Sequence, residues 1–248
     1  MASLAMGAGS IIAALGAEQA LVGSDLGSDV DAEVLNPAHL VNVERLIELA
    51  PDLVFVDSTE ADERALEAIE AIGAEMVVLE PAVSLDDSMA KIQVIATELG
   101  IPERAAELEA QINAQIALLD TSLLQGKTIA FLYLRGSAGV YLIAGEGSGA
   151  DDLIEALGAI DAGSSAGVTG FAPITAEQLL NVDPDFFLVM EKGLESIGGV
   201  SGLLALPGVS GTNAGKTGSV LIGEDSSLLS LGPDTPRVLA CIIEQVSD

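Results

Sequence analysis

Both tyrosines of this 248-residue chain, Tyr133 and Tyr141, share one short segment with Arg135: FLYLRGSAGVYLIAG, residues 131–145. Lysine and arginine together number 9 against 38 aspartates and glutamates, so a cation two places after a tyrosine is informative. Alternation along a strand sends residues i and i+2 to the same side, so Tyr133 and Arg135 are expected to face one way before Gly136 ends the strand. A phenol has a pKa of about 10 and binds ferric iron well only as phenolate. A guanidinium beside it stabilises that phenolate, or a carboxylate on the ligand, through a charge-assisted hydrogen bond. The plainer reading of the same pair is a half-buried tyrosine with an arginine answering local carboxylates. Tyr141 needs no more than strand packing.

The only histidine, His39, lies in LNPAHLVNVERL, a proline-containing loop ahead of a helix. A lone histidine is more often a solvated or satisfied side chain than a ligand. Together with Tyr133 it would fill both axial positions of a haem iron, and Arg135 would alternatively hold a haem propionate.

Other chemistries fit the residues less well. A serine hydrolase would have to use His39, and the chain has no G-x-S-x-G elbow. One histidine and one cysteine, Cys241, exclude a structural zinc site. Calcium sites suit so acidic a chain, yet no EF-hand loop is present. The glycine-rich AGEGSGADDLIEALG (144–158) resembles a phosphate cradle only in composition. Asp151 and Asp152 occupy the helix start that an anion would need, so a tight turn with acidic capping is expected.

The net charge of −29 repels phosphate backbones and argues against nucleic-acid binding. Half the residues are hydrophobic but only 3% are aromatic, so the core must be built from Ala, Leu, Ile and Val. Cys241 has no partner for an internal disulfide and reads as a small core hydrophobe. No run reaches the roughly 18 apolar residues of a membrane span. The N-terminus lacks a basic region and reads as a strand, turn and helix rather than a signal peptide.

Short apolar runs alternating with amphipathic helices give the α/β pattern that must position these side chains. Strands are expected at 52–58, 75–80, 128–134, 185–190 and 219–223, and helices at 61–73, 84–100 and 102–120. Two segments echo each other: NVERLIELAPDLVFV (42–56) and TAEQLLNVDPDFFLV (175–189) each read as a short helix stopped by Pro51 or Pro184 and followed by a buried strand. The echo fits two similar lobes, expected over 1–101 and 124–248, with the helical region 102–123 between them.

With these elements in place, the chain resembles the cluster-III periplasmic substrate-binding proteins of bacterial ABC importers, which carry siderophores, cobalamin or haem. SLAMGAGSIIAALGAEQALVG resembles the family's opening strand and helix, and NVERLIELAPDLVFV its recurring segment. GLLALPGVSGTNAG and LLSLGPDTPRVL are similar to its C-terminal part. YLRGSAGVYLIAGEGSGADDLIEALGAIDAG and GFAPITAEQLL are most similar to its haem-binding branch. The resemblance covers essentially the whole chain. It implies an α/β protein of two Rossmann-like lobes joined by a single long helix, with a ligand cleft between lobes and no enzymatic activity. It further implies that a monomer carries haem b, Fe(III) protoporphyrin IX, to an ABC permease. Tyr133 and Arg135 take the places of the family's haem tyrosine and its arginine, and His39 that of a second axial ligand. Glu63 and Glu177 are the positional matches for the family's permease-docking glutamates. The implied location is extracytoplasmic and lipid-anchored, with this chain as the core without its signal segment.

Two alternatives stand beside that expectation. The same fold would carry a ferric siderophore or cobalamin if Arg135 contacted an anionic chelate and Tyr133 merely packed. A metal-dependent enzyme or a cell-surface interaction module would share the scaffold without a tetrapyrrole.

Overall fold

The runs LVFVD and TIAFLYLR are too short for core helices and too apolar for sheet margins, and both become inner strands. A computed structural model describes residues 1–36, 40–58, 63–136, 140–225 and 227–247. The chain divides into two units: Met1–Gln115 with Ser230–Thr235, and Ile116–Leu229 with Pro236–Asp248.

In the first unit, β1 (Ala2–Ser3), β2 (Leu53–Asp57) and β3 (Glu75–Leu79) form a parallel sheet in that order. The helices are α1 (Ala8–Ala14), α2 (Val43–Leu49), α3 (Glu63–Ile72) and α4 (Leu85–Glu98), followed by α5 (Pro102–Ala117), in which the division into units falls. Leu4, Leu35, Leu46, Val54, Val56 and Ile69 make one core cluster. Two polar anchors hold the loops over it. Buried Asp25 accepts from the backbone N–H groups of Gly7 (2.7 Å), Gly9 (3.0 Å) and Gly27 (3.0 Å), and from the hydroxyls of Ser3 (2.9 Å) and Ser28 (2.8 Å). Buried Lys91 donates to the Met6 carbonyl at 3.0 Å and lies 3.5 Å from Asp57, which accepts from the Met6 N–H at 2.8 Å.

In the second unit, five strands run in the order β7 (Phe171–Pro173), β5 (Val140–Ala144), β4 (Thr128–Arg135), β8 (Phe186–Met190) and β9 (Val220–Gly223), and β6 (Ile160–Asp161) pairs with the start of β4. β4, β6, β8 and β9 are parallel; β5 runs antiparallel to β4, and β7, paired antiparallel to β5, points the same way as β4 again. The sequence pattern shows β4, β8 and β9 but not the antiparallel additions β5 and β7. The helices are α6 (Ala150–Ala156), α7 (Ala162–Ser165), α8 (Ala176–Val182), α9 (Glu191–Ser196), α10 (Gly199–Ala205), α11 (Asn213–Thr217) and α12 (Thr235–Ser247). One sheet face, with Leu132, Leu134, Ile143, Phe187 and Val189, packs on Leu179, Leu194 and Leu203 from the helices. The glycine-rich segment is a capped turn: Asp151 accepts from Gly147 N–H (2.7 Å) and Gly149 N–H (3.0 Å).

The two echoing segments adopt the same local structure. Asn42 caps α2 by accepting from Arg45 N–H at 3.1 Å, and Thr175 caps α8 with a reciprocal bond to Gln178. Leu46 and Leu179, each the fourth residue of its helix, are both fully buried. Each helix ends on a non-glycine residue in the left-handed region, Ala50 (φ 42°) and Asp183 (φ 41°), whose N–H bonds the carbonyl of Leu46 or Leu179. The proline that follows bars another helical turn and turns the chain into β2 or β8. Asp183 has local support, since its carboxylate accepts from Asn213 N–H at 2.6 Å. Ala50, whose methyl group can accept no such bond, bears the left-handed cost without it. Ala50→Gly is therefore expected to stabilise the protein by about 1 kcal/mol, the left-handed penalty less the glycine entropy. Thermal denaturation should show a rise of roughly 2–4 °C, and a lower midpoint would show that the turn is unstrained.

Candidate functional site

Alternation along β4 arranges the site. Phe131, Tyr133 and Arg135 fall on one face and pass from fully buried through half-buried to exposed as the strand leaves the core. Register with β5 sets Tyr133 against Leu142 and Arg135 against Val140, while Leu134 faces Tyr141. The two tyrosines therefore lie on opposite faces of the sheet, as the unequal roles expected of them require. Gly136 ends the strand where the chain passes close to α9: its N–H donates to Ser196 Oγ at 3.0 Å, and a Cβ here would meet the Ser196 carbonyl at 2.2 Å.

Arg135 folds back along its own strand. Its Nε donates to the Tyr133 hydroxyl at 2.5 Å, and its guanidinium carbon lies 5.4 Å from the phenol ring centroid. Among the described residues Arg135 pairs with no carboxylate.

A third side chain completes the arrangement. Phe171 on β7 is 40% exposed, and its ring stands edge-to-face with Tyr133 (5.9 Å, 66°) and with Phe131 (6.1 Å, 71°). Sequence reasoning did not single it out. β7 is three residues long and ends in proline, too short for any period; the available signal was the rarity of the residue, one of only 5 phenylalanines.

His39 lies outside the described residues. Glu63 opens α3 and Glu177 is the second residue of α8, both exposed. The echo between the units pairs Glu177 with Glu44, the exposed second residue of α2, rather than with Glu63. Among the described residues no group of three or more His, Cys, Asp or Glu could hold a metal ion, and no helix is long and apolar enough to cross a membrane. A cavity of about 240 Å³ lies in the second unit among Glu191, Glu224, Arg237 and Cys241. It does not include Tyr133 or Arg135, and Arg237 there already bonds Glu224 at 3.2 Å.

Tyr141 sits against the core of the opposite face. Its hydroxyl is buried and has no hydrogen-bond partner among the described residues. Burial pushes its ionisation well above the usual phenol range.

One of the two α/β units thus carries a half-buried tyrosine and an exposed arginine, bonded to each other at the end of an inner strand, and the family match makes the chain a binding protein. The chain belongs to the periplasmic binding protein family, whose model matches residues 3–226. Among solved structures it is similar to the apo form of the periplasmic heme-binding protein RhuT from Roseiflexus sp. RS-1, with 33% identity and a TM-score of 0.87 over 99% of this chain and 98% of that one. The heme binding protein HmuT is 31% identical, with a TM-score of 0.86 over 99% of this chain and 82% of that one. BhuT, a periplasmic heme-binding protein in complex with two hemes, is 25% identical, with a TM-score of 0.84 over 100% of this chain and 97% of that one. HmuT structures include alanine variants of a tyrosine, of the arginine two positions after it, and of a histidine. No curated protein matches the sequence.

Tyr141→Phe removes a buried hydroxyl that bonds nothing described, and should raise stability by up to about 1 kcal/mol. As pH rises past about 10, the unfolded chain sheds a phenol proton that folded Tyr141 retains, so stability falls. That alkaline loss should shrink in Tyr141→Phe, measured as denaturation midpoint against pH. A variant less stable than the parent at neutral pH would show that the hydroxyl has a partner.

Proposed function

We propose that this chain captures haem outside the cytoplasmic membrane and hands it to an ABC permease, with Tyr133 as the iron ligand. The observation that carries the reading is the 2.5 Å bond from Arg135 Nε to the Tyr133 hydroxyl. Ferric porphyrin has a net positive charge at iron that a phenolate neutralises, and Arg135 Nε–H already bonds the oxygen that would meet it. The guanidinium's other N–H groups are then available to a propionate, so the two roles considered for Arg135 are compatible. His39 is the proposed second axial ligand. The haem named for RhuT, HmuT and BhuT supports the cargo, and the tyrosine–arginine spacing of the HmuT variants supports the assignment of Tyr133 and Arg135.

Delivery requires contact with the permease. Glu63 and Glu177 are the proposed docking acids, and Glu44 joins them because it holds in α2 the place that Glu177 holds in α8. A lipid anchor, implied by the family resemblance, would hold the protein beside that permease.

Hemin titration tests the cargo. A Soret change saturating near stoichiometric addition is expected; an unchanged spectrum with tight binding of a ferric siderophore or cobalamin would sink the reading. Tyr133→Phe and Arg135→Ala should each weaken hemin binding by about tenfold or more, as loss of a ligand or of a charged hydrogen bond implies. His39→Ala should alter the spectrum of bound hemin. Parent-like affinity in Tyr133→Phe would remove the tyrosine from the iron. Charge reversal at Glu44, Glu63 or Glu177 should reduce stimulation of permease ATPase in proteoliposomes while leaving hemin affinity intact.

A further inference from the structure

Phe171 lies where a core aromatic would be wasted and an ordinary surface residue would be polar. It is 40% exposed, on the strand at the margin of the sheet, in a chain with only 5 phenylalanines, 2 tyrosines and no tryptophan. Three of those rings form one column: Phe131 fully buried at its base, Phe171 edge-on against it at 6.1 Å, and Tyr133 edge-on against Phe171 at 5.9 Å. The register that builds the column is β4 to β5 to β7, with Tyr133 opposite Leu142, Leu142 opposite Pro173, and Ala144 opposite Phe171.

A tyrosine has two soft torsions, and a ligand atom at its tip is only as well placed as both. Arg135 restrains the oxygen by the hydrogen bond to Tyr133 and covers the ring at 5.4 Å. That contact alone leaves the plane of the ring free to tilt about the bonded oxygen. Phe171 supplies the missing restraint, because an edge-to-face contact favours one interplanar angle, here 66°. Phe131, anchored in the core, fixes Phe171 in turn.

We infer that Phe171 is a positioning residue for Tyr133: its ring sets the plane of the phenol and thereby the direction from which the oxygen meets ferric iron. The inference rests on the proposed function and names a further residue of the same site. Phe171 itself donates nothing to the metal.

The experiment compares hemin binding by the parent, Phe171→Leu, Phe171→Tyr and Tyr133→Phe, reading the ferric–phenolate charge-transfer band and the rate of hemin loss to excess apomyoglobin. Leucine keeps the apolar volume and removes the ring, while tyrosine restores the ring. The expected result for Phe171→Leu is a thermal midpoint close to the parent's, a shifted or weakened phenolate band, and hemin loss faster by about five- to tenfold. Phe171→Tyr should return both readouts to parental values. A Phe171→Leu variant with parental band and parental rate overturns the inference, as does a Phe171→Tyr variant that fails to rescue. If the parent shows no phenolate band, or Tyr133→Phe retains it, the assignment of Tyr133 has failed and the inference falls with it, a result separable from the first because it appears without any change at Phe171.

Discussion

The hydrogen bond from Arg135 to Tyr133 depends on β4 staying straight after its parallel neighbour has stopped pairing with it. β8 accompanies β4 only as far as Leu132, opposite Val189. From Leu132 to Arg135 the pairing is supplied by β5 running back antiparallel, residue by residue down to Val140. A purely parallel sheet would leave this end of β4 without that partner. Here the reversed strand keeps the alternation intact for one more turn of the pleat, and two side chains emerge on the same side at bonding distance. Gly136 then ends the strand at the point where α9 comes too close for any side chain.

What the sequence disclosed and what it hid follow from the same geometry. The strands at 53–57, 128–135 and 186–190 are continuous apolar runs, and the capped helices before β2 and β8 carry their own start and stop residues, so periodicity and punctuation were enough to find them. Tyr133 and Arg135 were visible because cations and aromatics are scarce and the strand period is two. β5 and β7 were not, since pairing direction depends on where a distant stretch returns, and three residues ending in Pro173 display no period. Phe171 was hidden with them, although it touches Tyr133. The assignment of His39 rests on resemblance, and residues 37–39 fall outside the described structure.

The first unit shows how an acidic chain handles burial. Asp25 needs no cation: five neutral donors surround it, three of them backbone N–H groups of glycines that leave room for such an approach. Asp57 is treated differently, sharing the loop at Met6 with Lys91, one of only nine basic residues and here withdrawn from solvent. An isolated buried ion would cost several kcal/mol, and bonding both ions to the same backbone residue makes the pair a clamp on that loop. Polar interior groups in this unit thus fix loop geometry, while Leu, Ile and Val supply the burial.

The placement of the two tyrosines on opposite faces of β4 and β5 has an optical consequence. Without tryptophan, ultraviolet emission from this protein comes from Tyr133 and Tyr141 alone. One fluorophore stands at the proposed ligand atom with a guanidinium on its oxygen; the other is shut into apolar packing on the far side of the sheet. A chromophore seated at Tyr133 would quench the first at contact and the second only by energy transfer through the sheet. Both routes lower the same emission band, so the loss of tyrosine fluorescence reads occupancy without a label.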